Sequence, residues 1–314
     1  MTEVTSPVLP VSLIIVSDYA TADGDGELRL ALQAYGRDPE GIPAEIVVML
    51  PTGRSFRPDE DPDLAEVAAV AAIIVVTHDS EESSQLKDAG LAHCRHDVVA
   101  VVEADCLPRP GWLATLFSSF AMRPEAEAIS GRTSYGDDSM MKRVFSLLDR
   151  GFLECRDPDG RITHVSNNGA LYRRTMLERF PYEPHLGPFI SAHLRQHAMV
   201  REGIVVELDA RALSIHAYEG LPFLWDLRRN KGFQHAQMKL RKAPERGRLG
   251  AALSAVMASF NENRRTARAV GRDFCRPGDW PLFWVMMFLV RIPEFAGAIA
   301  TDDTAGFMAS TKYR

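Results

Sequence analysis

Two acidic residues, Glu103 and Asp105, stand directly after a run of apolar residues, and their spacing suggests metal chemistry. The run, residues 98–102, has the composition of a buried strand. Alternate residues of a strand share a side, so both carboxylates can point the same way. Ligands of open α/β sheets bind just beyond the carboxyl ends of strands. A carboxylate pair at that place suits a hard divalent cation that carries a phosphate ligand.

The elements that would position these carboxylates alternate between strands and helices. Strands are predicted at residues 11–17, 44–50, 70–77 and 98–102, with helices at 27–35, 84–94 and from Pro110 through Leu116. This alternation predicts an α/β fold with a mostly parallel sheet and helices on both faces. Trp112 is expected in the core, and residues 51–69, which are rich in proline and acids, are expected to form a long exposed loop.

The pattern is looser in the second half of the chain. We expect a strand at 126–131, helices at 139–153, 171–180 and 190–201, short strands at 204–208 and 212–215, and only helices from residue 221. The sequence thus predicts a first domain at 1–220 and a helical extension at 221–314.

Composition narrows the class of protein. The 314 residues carry a net charge of −6, and their apolar and charged fractions are ordinary for a globular protein. The first residues lack the basic and apolar regions of a secretory signal. The four cysteines are far apart and form no Cys-x-x-Cys pair, which favours reduced thiols in the cytoplasm over disulfides or a zinc site.

The charge is unevenly distributed. Residues 226–276 hold thirteen Lys/Arg and four acids, and the stretch that follows, 281–290, is almost wholly apolar. This apolar stretch is shorter than the roughly 20 residues that span a bilayer. The segment 226–295 is compatible with an anionic membrane surface and equally with a solvated helix that packs an apolar segment against the main domain. Nucleic acid is not an expected partner.

Taken in order, several segments resemble the family 2 glycosyltransferases of GT-A fold. The match covers roughly residues 10–218. It begins with the opening strand and with Lys87-Asp88-Ala89-Gly90, where the family has Arg-Asn-x-Gly. Glu103-Ala104-Asp105 stands where the family has Asp-x-Asp, and Pro110-Gly111-Trp112 stands where that motif continues. The match then includes Ser166-Asn167-Asn168-Gly169 followed by Tyr172-Arg173-Arg174, and the closing residues 203–216 with terminal His216.

The resemblance implies a site for a nucleotide-sugar and a metal ion, Mn²⁺ or Mg²⁺. Such an ion would stabilise the departing diphosphate. The implied metal ligands are Asp105, Glu103 and His216. Residues implied to contact the donor are Asp18, Asp79, Lys87, Glu103, Asp105, Asn167, Asn168 and Arg173.

Several of these residues also have a structural explanation. Glu103 and Asp105 are compatible with capping the next helix or pairing with Arg109. The asparagines are typical of turns, Arg173 of a solvated helix face, and His216 of a buried, hydrogen-bonded histidine.

The catalytic base of the family is missing. Ile190 and Ser191 stand where an acidic pair is usual, and no carboxylate occurs between Glu183 and Glu202. His193, on the same predicted helix, can accept a proton near neutral pH. His185, in the preceding loop, is the alternative.

Donor recognition departs from the family as well. Met49 and Leu50 stand where acidic residues usually recognise the nucleotide base. Asp18 after the first strand and Asp79 after the third remain candidates for contacts with the base or ribose. The nucleotide and the sugar therefore stay open.

We therefore predict a cytoplasmic glycosyltransferase, with attachment to the inner face of the membrane as one of the two interpretations of segment 226–295. It would pass a hexose-type sugar, with inversion, to a hydroxyl of a glycan, lipid or small-molecule acceptor. The rival hypothesis is a GT-A scaffold that has lost catalysis and acts as a binding or partner subunit. A nucleotidyltransferase is disfavoured, because no Gly-rich phosphate loop with a basic residue accompanies the first strand.

Overall fold

The computed structural model describes residues 6–18, 25–184, 187–218 and 220–301. The chain folds into two compact units built from interleaved segments. Unit 1 holds the residues up to Thr133 together with Arg156–Tyr182 and Arg195–Ala217. Unit 2 holds Ser134–Cys155, Glu183–Leu194 and the residues from Tyr218 onward. The boundary predicted near residue 220 lies close to the last of several points at which the chain passes between the units.

The strands of the described residues form one eight-stranded sheet. They are β1 (Val8–Val16), β2 (Ile42–Pro51), β3 (Ala72–His78), β4 (Val98–Glu103), β5 (Cys106–Pro108), β6 (Ala128–Ser134), β7 (Ala170–Arg173) and β8 (Val206–His216), and their order in the sheet is β3-β2-β1-β4-β7-β6-β8-β5. The first four in this order are parallel. β7 is antiparallel to β4 and β6, and β5 is antiparallel to β8. The predicted α/β class and mixed sheet are confirmed.

Helices flank the sheet and make up the rest of the chain. They are α1 (Gly26–Gly36), α2 (Ala65–Val70), α3 (Ser83–Leu91), α4 (Trp112–Met122), α5 (Met140–Asp149), α6 (Arg174–Arg179), α7 (Pro188–Arg201), α8 (Leu221–Lys242), α9 (Gly247–Phe274), α10 (Trp280–Leu289) and α11 (Arg291–Ile299). The expectation of helices only after residue 221 is confirmed for the described residues.

Alternate residues of the central strands serve the two faces of the sheet. Leu13 and Val102 pack with α1 and α4 on one face, where Trp112 is buried as expected. Ile14 and Val101 pack with α3 and α6 on the other face. Because both faces are covered, these strands are apolar throughout.

Several local predictions were wrong. The helix predicted over 171–180 is present only as α6, Arg174–Arg179. Ala170–Arg173 form β7, since short apolar runs do not separate strand from helix by periodicity. The expected loop at 51–69 contains helical turns and α2, which bury Leu64 and Val67 in the core. The two short strands predicted after residue 203 are one strand, β8.

Unit 2 is helical, and two glycines let its helices approach closely. A Cβ on Gly232 of α8 would lie 1.9 Å from the carbonyl oxygen of Glu294 in α11. A Cβ on Gly297 of α11 would lie 1.9 Å from the carbonyl oxygen of Arg229 in α8. The crossing of α8 and α11 therefore requires glycine at both positions.

Candidate functional site

The carboxyl ends of β1 and β4 lie side by side and carry three acidic residues. Val16 pairs with Glu103 in the parallel register, and the Ala104 N–H donates to the Val16 carbonyl oxygen at 2.9 Å. Asp18, two residues after β1, therefore lines the same small cleft as Glu103 and Asp105. The sequence prediction that the carboxylates end a strand at the rim of a parallel sheet is confirmed.

Glu103 is held by three donors. Its Oε1 accepts from Lys87 Nζ at 2.5 Å and from Ser83 Oγ at 3.1 Å, while Oε2 accepts from Asn168 Nδ2 at 3.1 Å. Burial alone would raise the pKa of this carboxyl. The Lys87 ammonium, His216 and the hydrogen bonds outweigh burial and lower the pKa below its ordinary value. Glu103 is therefore ionised and fixed in orientation.

Lys87 reaches Glu103 because α3 packs tightly on the sheet. A Cβ on Gly90, one turn further along α3, would lie only 3.0 Å from side-chain atoms of Ile14 and Met49. The Lys87 side chain is 4% exposed. Burial lowers its pKa, but Glu103 and neighbouring groups outweigh burial and raise it. The pair therefore consists of two charged groups that need one another in a poorly solvated place.

His216 comes to the acidic residues through strand register. β5 and β8 pair so that Cys106 lies opposite His216, and the Ala217 N–H donates to the Asp105 carbonyl oxygen at 2.8 Å. His216 Nε2 then lies 3.4 Å from Asp105 Oδ2 and 3.9 Å from Glu103 Oε2. Nδ1 lies 3.0 Å from the Ala217 carbonyl oxygen. A proton on Nδ1 would donate there and leave the Nε2 lone pair facing the carboxylates.

Glu103, Asp105, Cys106 and His216 together form a possible metal site. One ligand atom from each lies within 4.8 Å of the others. Two carboxylates and an imidazole fit Mn²⁺ or Mg²⁺, whereas the Cys106 thiol is a soft ligand that these ions do not favour. The donor set therefore fits the implied ion, with Glu103 already engaged by Lys87 and Asn168.

Asp18 is the acid most affected by this environment. Burial raises its pKa first, and the nearby charges of Glu103 and Asp105 raise it further, to about 7. Three carboxyl groups at one rim repel one another, so one of them keeps its proton near neutral pH. A protonated Asp18 can both donate and accept hydrogen bonds in the cleft.

The two predicted asparagines belong to the same network. Asn168 donates to Glu103, and its Oδ1 accepts from Ser166 Oγ at 3.0 Å. Asn167 Oδ1 accepts from Tyr182 Oη at 2.9 Å, and the Tyr182 N–H donates to Asp88 at 2.6 Å. Adjacent residues of α3 are thus linked to both asparagines through one intermediate each. Lys87 is linked to Asn168 through Glu103, and Asp88 is linked to Asn167 through Tyr182.

Arg173 lies at the other end of the sheet from these residues. It pairs with Val98 at the start of β4, the opposite end from Glu103. Its guanidinium donates to the carbonyl oxygens of Ala126 and Pro124 and lies over the Phe120 ring. Because Arg173 closes an antiparallel strand, its position follows from β7 rather than from the predicted helix.

Asp79 lies at the carboxyl edge of the sheet, after β3 and two strands from β1. Its Oδ1 accepts from Thr52 Oγ1 at 2.9 Å in an exposed setting. The structure therefore places Asp79 on the same rim as Asp18, beyond β2.

Two of the contacts considered for the carboxylates are made with other partners. At the start of α4 the Gly111 N–H donates to Asp38, whose Oδ2 lies at 2.8 Å. Gly111 adopts a left-handed conformation, with φ of 78°, that favours glycine. Glu103 pairs with Lys87.

Two histidines were considered as the catalytic base, and the structure places only one of them. His193 lies on α7 within unit 2, near His235. His185 lies outside the described residues. The positions that are usually acidic are buried, with Ile190 3% and Ser191 0% exposed.

Sequence reasoning missed Ser83, Cys106 and Tyr182. Ser83 and Tyr182 act through hydrogen bonds to residues distant in the chain, and no local pattern announces such bonds. Cys106 was visible beside Asp105, but only the pairing with β8 shows that its sulfur faces the cluster.

Comparison with known proteins supports the resemblance. Residues 58–180 match the model of the glycosyl transferase family 2. No curated protein sequence matches the chain significantly. The chain thus resembles the family 2 glycosyltransferases, and the match includes Lys87, Glu103, Asp105 and both asparagines.

Solved structures share the fold. The chain resembles the mannosyltransferase PcManGT from Pyrobaculum calidifontis, solved with GDP-Man and Mn²⁺, with a TM-score of 0.57, 16% identity, and coverage of 94% of this chain and 87% of that one. A second similar structure is glucosyl-3-phosphoglycerate synthase from Mycobacterium tuberculosis with Mn²⁺, UDP-Glc and phosphoglyceric acid, with a TM-score of 0.47, 15% identity, and coverage of 67% and 73%. The likeness to the first structure establishes the GT-A fold.

Proposed function

We propose that this protein is a glycosyltransferase that moves a sugar from a nucleotide-sugar donor to a hydroxyl group. The observation that carries the proposal is the meeting of Glu103, Asp105 and His216 at the carboxyl rim of β1 and β4. This rim is where open α/β sheets bind ligands. The family match and the shared GT-A fold support the same activity.

Asp105 and His216, with Glu103, would hold Mn²⁺ or Mg²⁺. Such an ion, when bound, supplies positive charge to the leaving diphosphate. Lys87 keeps Glu103 ionised and fixed, and Asn168 orients the second oxygen of the same carboxylate. Asp18, in the same cleft, offers a hydrogen-bonding carboxyl group to the base or ribose of the nucleotide. Asp79 would act only on a donor part that extends along the rim beyond β2.

For the proton of the acceptor hydroxyl we propose His193 as the base, in place of the absent acidic pair. Transfer with inversion follows from the resemblance to family 2. The acceptor is a hydroxyl of a glycan, a lipid or a small molecule. All four cysteines are free thiols, which supports the cytoplasm as the place of action.

A binding or partner subunit without catalysis is the second candidate. It is favoured by the burial of Ile190 and Ser191, where the family has its acidic pair. The Ile190 N–H donates to Gln234 Oε1 at 3.2 Å, and Ser191 Oγ donates to the Glu183 carbonyl oxygen at 3.1 Å. Both residues thus serve the packing of unit 2.

The test is donor hydrolysis and transfer with a panel of nucleotide-sugars in Mn²⁺, together with Mn²⁺-dependent nucleotide binding by calorimetry. Asp105→Asn should reduce turnover by about 100-fold or more, while Asp159→Asn, on an exposed turn, should not change it. Metal-dependent binding without turnover would favour the partner subunit. Absence of both would refute the metal-assisted site. Unchanged activity in His193→Ala would remove His193 as the base.

A further inference from the structure

Helix α10 carries an apolar face that is exposed. Trp284, Val285, Phe288 and Leu289 recur at the spacing of one helical side, and Ile292 continues that side at the start of α11. Their exposed fractions range from 45% for Trp284 to 60% for Phe288. Large side chains exposed as a contiguous group are unusual on the surface of a monomer and mark interaction sites.

Helix α9 adds a second exposed stripe. Leu249, Leu253 and Met257 are four residues apart, so they lie along one side of the helix, and each is more than half exposed. Phe260 continues the stripe, and its ring centroid lies 5.6 Å from that of Phe288. The exposed sides of α9 and α10 therefore join into one apolar surface, defined here by Leu249, Leu253, Met257, Trp284, Phe288 and Ile292.

The opposite sides of these helices are fixed in the core of unit 2. Phe283, Met286 and Met287 of α10 are buried, as are Ala252 and Ala255 of α9. Pro277–Ile299 has the length and composition to cross a membrane, but half of its most apolar window is buried inside the protein. This division of faces is typical of helices that lie in an interface rather than span a bilayer.

Basic residues border the apolar surface. Arg246 precedes the α9 stripe by one turn, and Arg264 and Arg268 follow it on the same side, all three exposed. Between residues 241 and 276, nine Lys/Arg are exposed against two acids, Glu245 and Asp273. An apolar strip bordered by arginines is complementary to an anionic lipid surface, where the apolar side chains enter the acyl boundary and the arginines meet the headgroups.

We propose that the apolar surface of α9 and α10 docks the protein onto an anionic lipid bilayer. The inference does not depend on the proposed transferase activity, and its test uses no nucleotide. The full-length protein is sedimented with vesicles of phosphatidylglycerol and phosphatidylcholine, and with vesicles of phosphatidylcholine alone. We expect binding that requires the anionic lipid and weakens as salt is raised.

Two sets of variants separate the contributions. Arg264→Gln with Arg268→Gln should weaken partitioning by about fivefold for each arginine, or about 25-fold together. Leu253→Glu with Phe288→Glu should weaken it more than about tenfold by removing apolar contacts. Met122→Glu, on the 68% exposed Met122 of α4, is the matched apolar control, and Arg161→Gln is the charge control. Circular dichroism melts establish that the variants fold.

The composition dependence of the wild type tests the proposal even where a variant fails to fold. Equal partitioning to neutral and anionic vesicles, or none to either, would overturn the proposal. Light scattering after gel filtration tests whether a second copy of the chain, rather than lipid, binds this apolar surface. A stable dimer that the Leu253→Glu and Phe288→Glu changes dissociate would assign the surface to a second copy of the chain and refute lipid docking.

Discussion

Lys87 Nζ lies 2.5 Å from Glu103 Oε1, and this contact joins helix α3 to the end of strand β4. The two groups come from two of the segments that carry the family resemblance. Their pairing explains how both charged groups are tolerated in a poorly solvated place. Lys87 neutralises one carboxylate of a crowded acidic rim, and His216 lies 3.4 Å from a second, that of Asp105.

Removing the lysine should be costly. Lys87→Met leaves the Glu103 carboxylate without its main counter-charge, and we expect a loss of about 2–4 kcal/mol in the free energy of unfolding. The double variant with Glu103→Gln should recover part of that loss, which a double-mutant cycle by urea unfolding measures. The exposed pair Arg57–Glu60, with side chains 70% and 63% exposed, is the control and should couple by less than about 1 kcal/mol. Equal coupling in both pairs would contradict this account.

Divalent metal should stabilise the fold through the acidic cluster. Mn²⁺ at 100 times its dissociation constant should add about 2.7 kcal/mol to the free energy of unfolding. His216→Gln should weaken Mn²⁺ binding by at least about tenfold. Cys106→Ser should change the affinity little, because a hard cation gains nothing from the thiol. Calorimetric titration measures all three proteins, and a larger effect of Cys106→Ser than of His216→Gln would argue for a different ion.

Acid should destabilise unit 2 through His235. Burial lowers the pKa of this imidazole first, and the charge of Lys231 lowers it further, to about 3. Between pH 6.5 and pH 3 the unfolded chain binds a proton at this side chain that the folded chain does not bind, so stability falls as pH falls. We expect His235 to account for on the order of 1–3 kcal/mol of the loss between pH 7.5 and pH 4.5.

The check is the difference in unfolding free energy between those two pH values in His235→Gln and in the wild type. The dependence should be smaller in the variant. His93→Gln, at an exposed position, should behave as the wild type does. An identical pH dependence in all three proteins would contradict the role assigned to His235.

The crossing of α8 and α11 gives a test of packing. Gly232→Ala places a Cβ against the backbone of Glu294, and backbone cannot yield as a flexible side chain does. We expect a loss of about 1–3 kcal/mol or more. Gly250→Ala, within α9, meets nothing nearer than the Arg246 Cβ at 3.5 Å. This variant should gain about 0.5–1 kcal/mol from helix propensity. Thermal melts compare the two, and similar effects would refute the close crossing.

The sequence predicted what depends on local pattern. The apolar runs of β1, β2 and β4 predicted buried parallel strands. The position of Glu103 and Asp105 at the end of β4 predicted a ligand site at the carboxyl edge of the sheet. Residue types also suggested His216, through the family resemblance. The strands and the rim site required only neighbours in the chain and one general rule about parallel sheets.

What depends on long-range pairing could not be predicted. The helix predicted over 171–180 missed β7, because only the partners β4 and β6 decide that Ala170–Arg173 is extended. The engagement of Glu103 by Ser83 depends on how closely α3 packs. The interleaving of the two units likewise follows from tertiary contacts that single-sequence periodicity does not encode.

The pairing of Cys106 with His216 has a consequence for biosynthesis. Strand β5 has β8 as its neighbour, and β8 is translated long after β5. A nascent chain can assemble β1 to β4 early, yet its acidic rim stays without the imidazole until β8 has left the ribosome. An ion or nucleotide that requires both the carboxylates and the His216 imidazole would therefore bind only after β8 has been synthesised and has paired with β5.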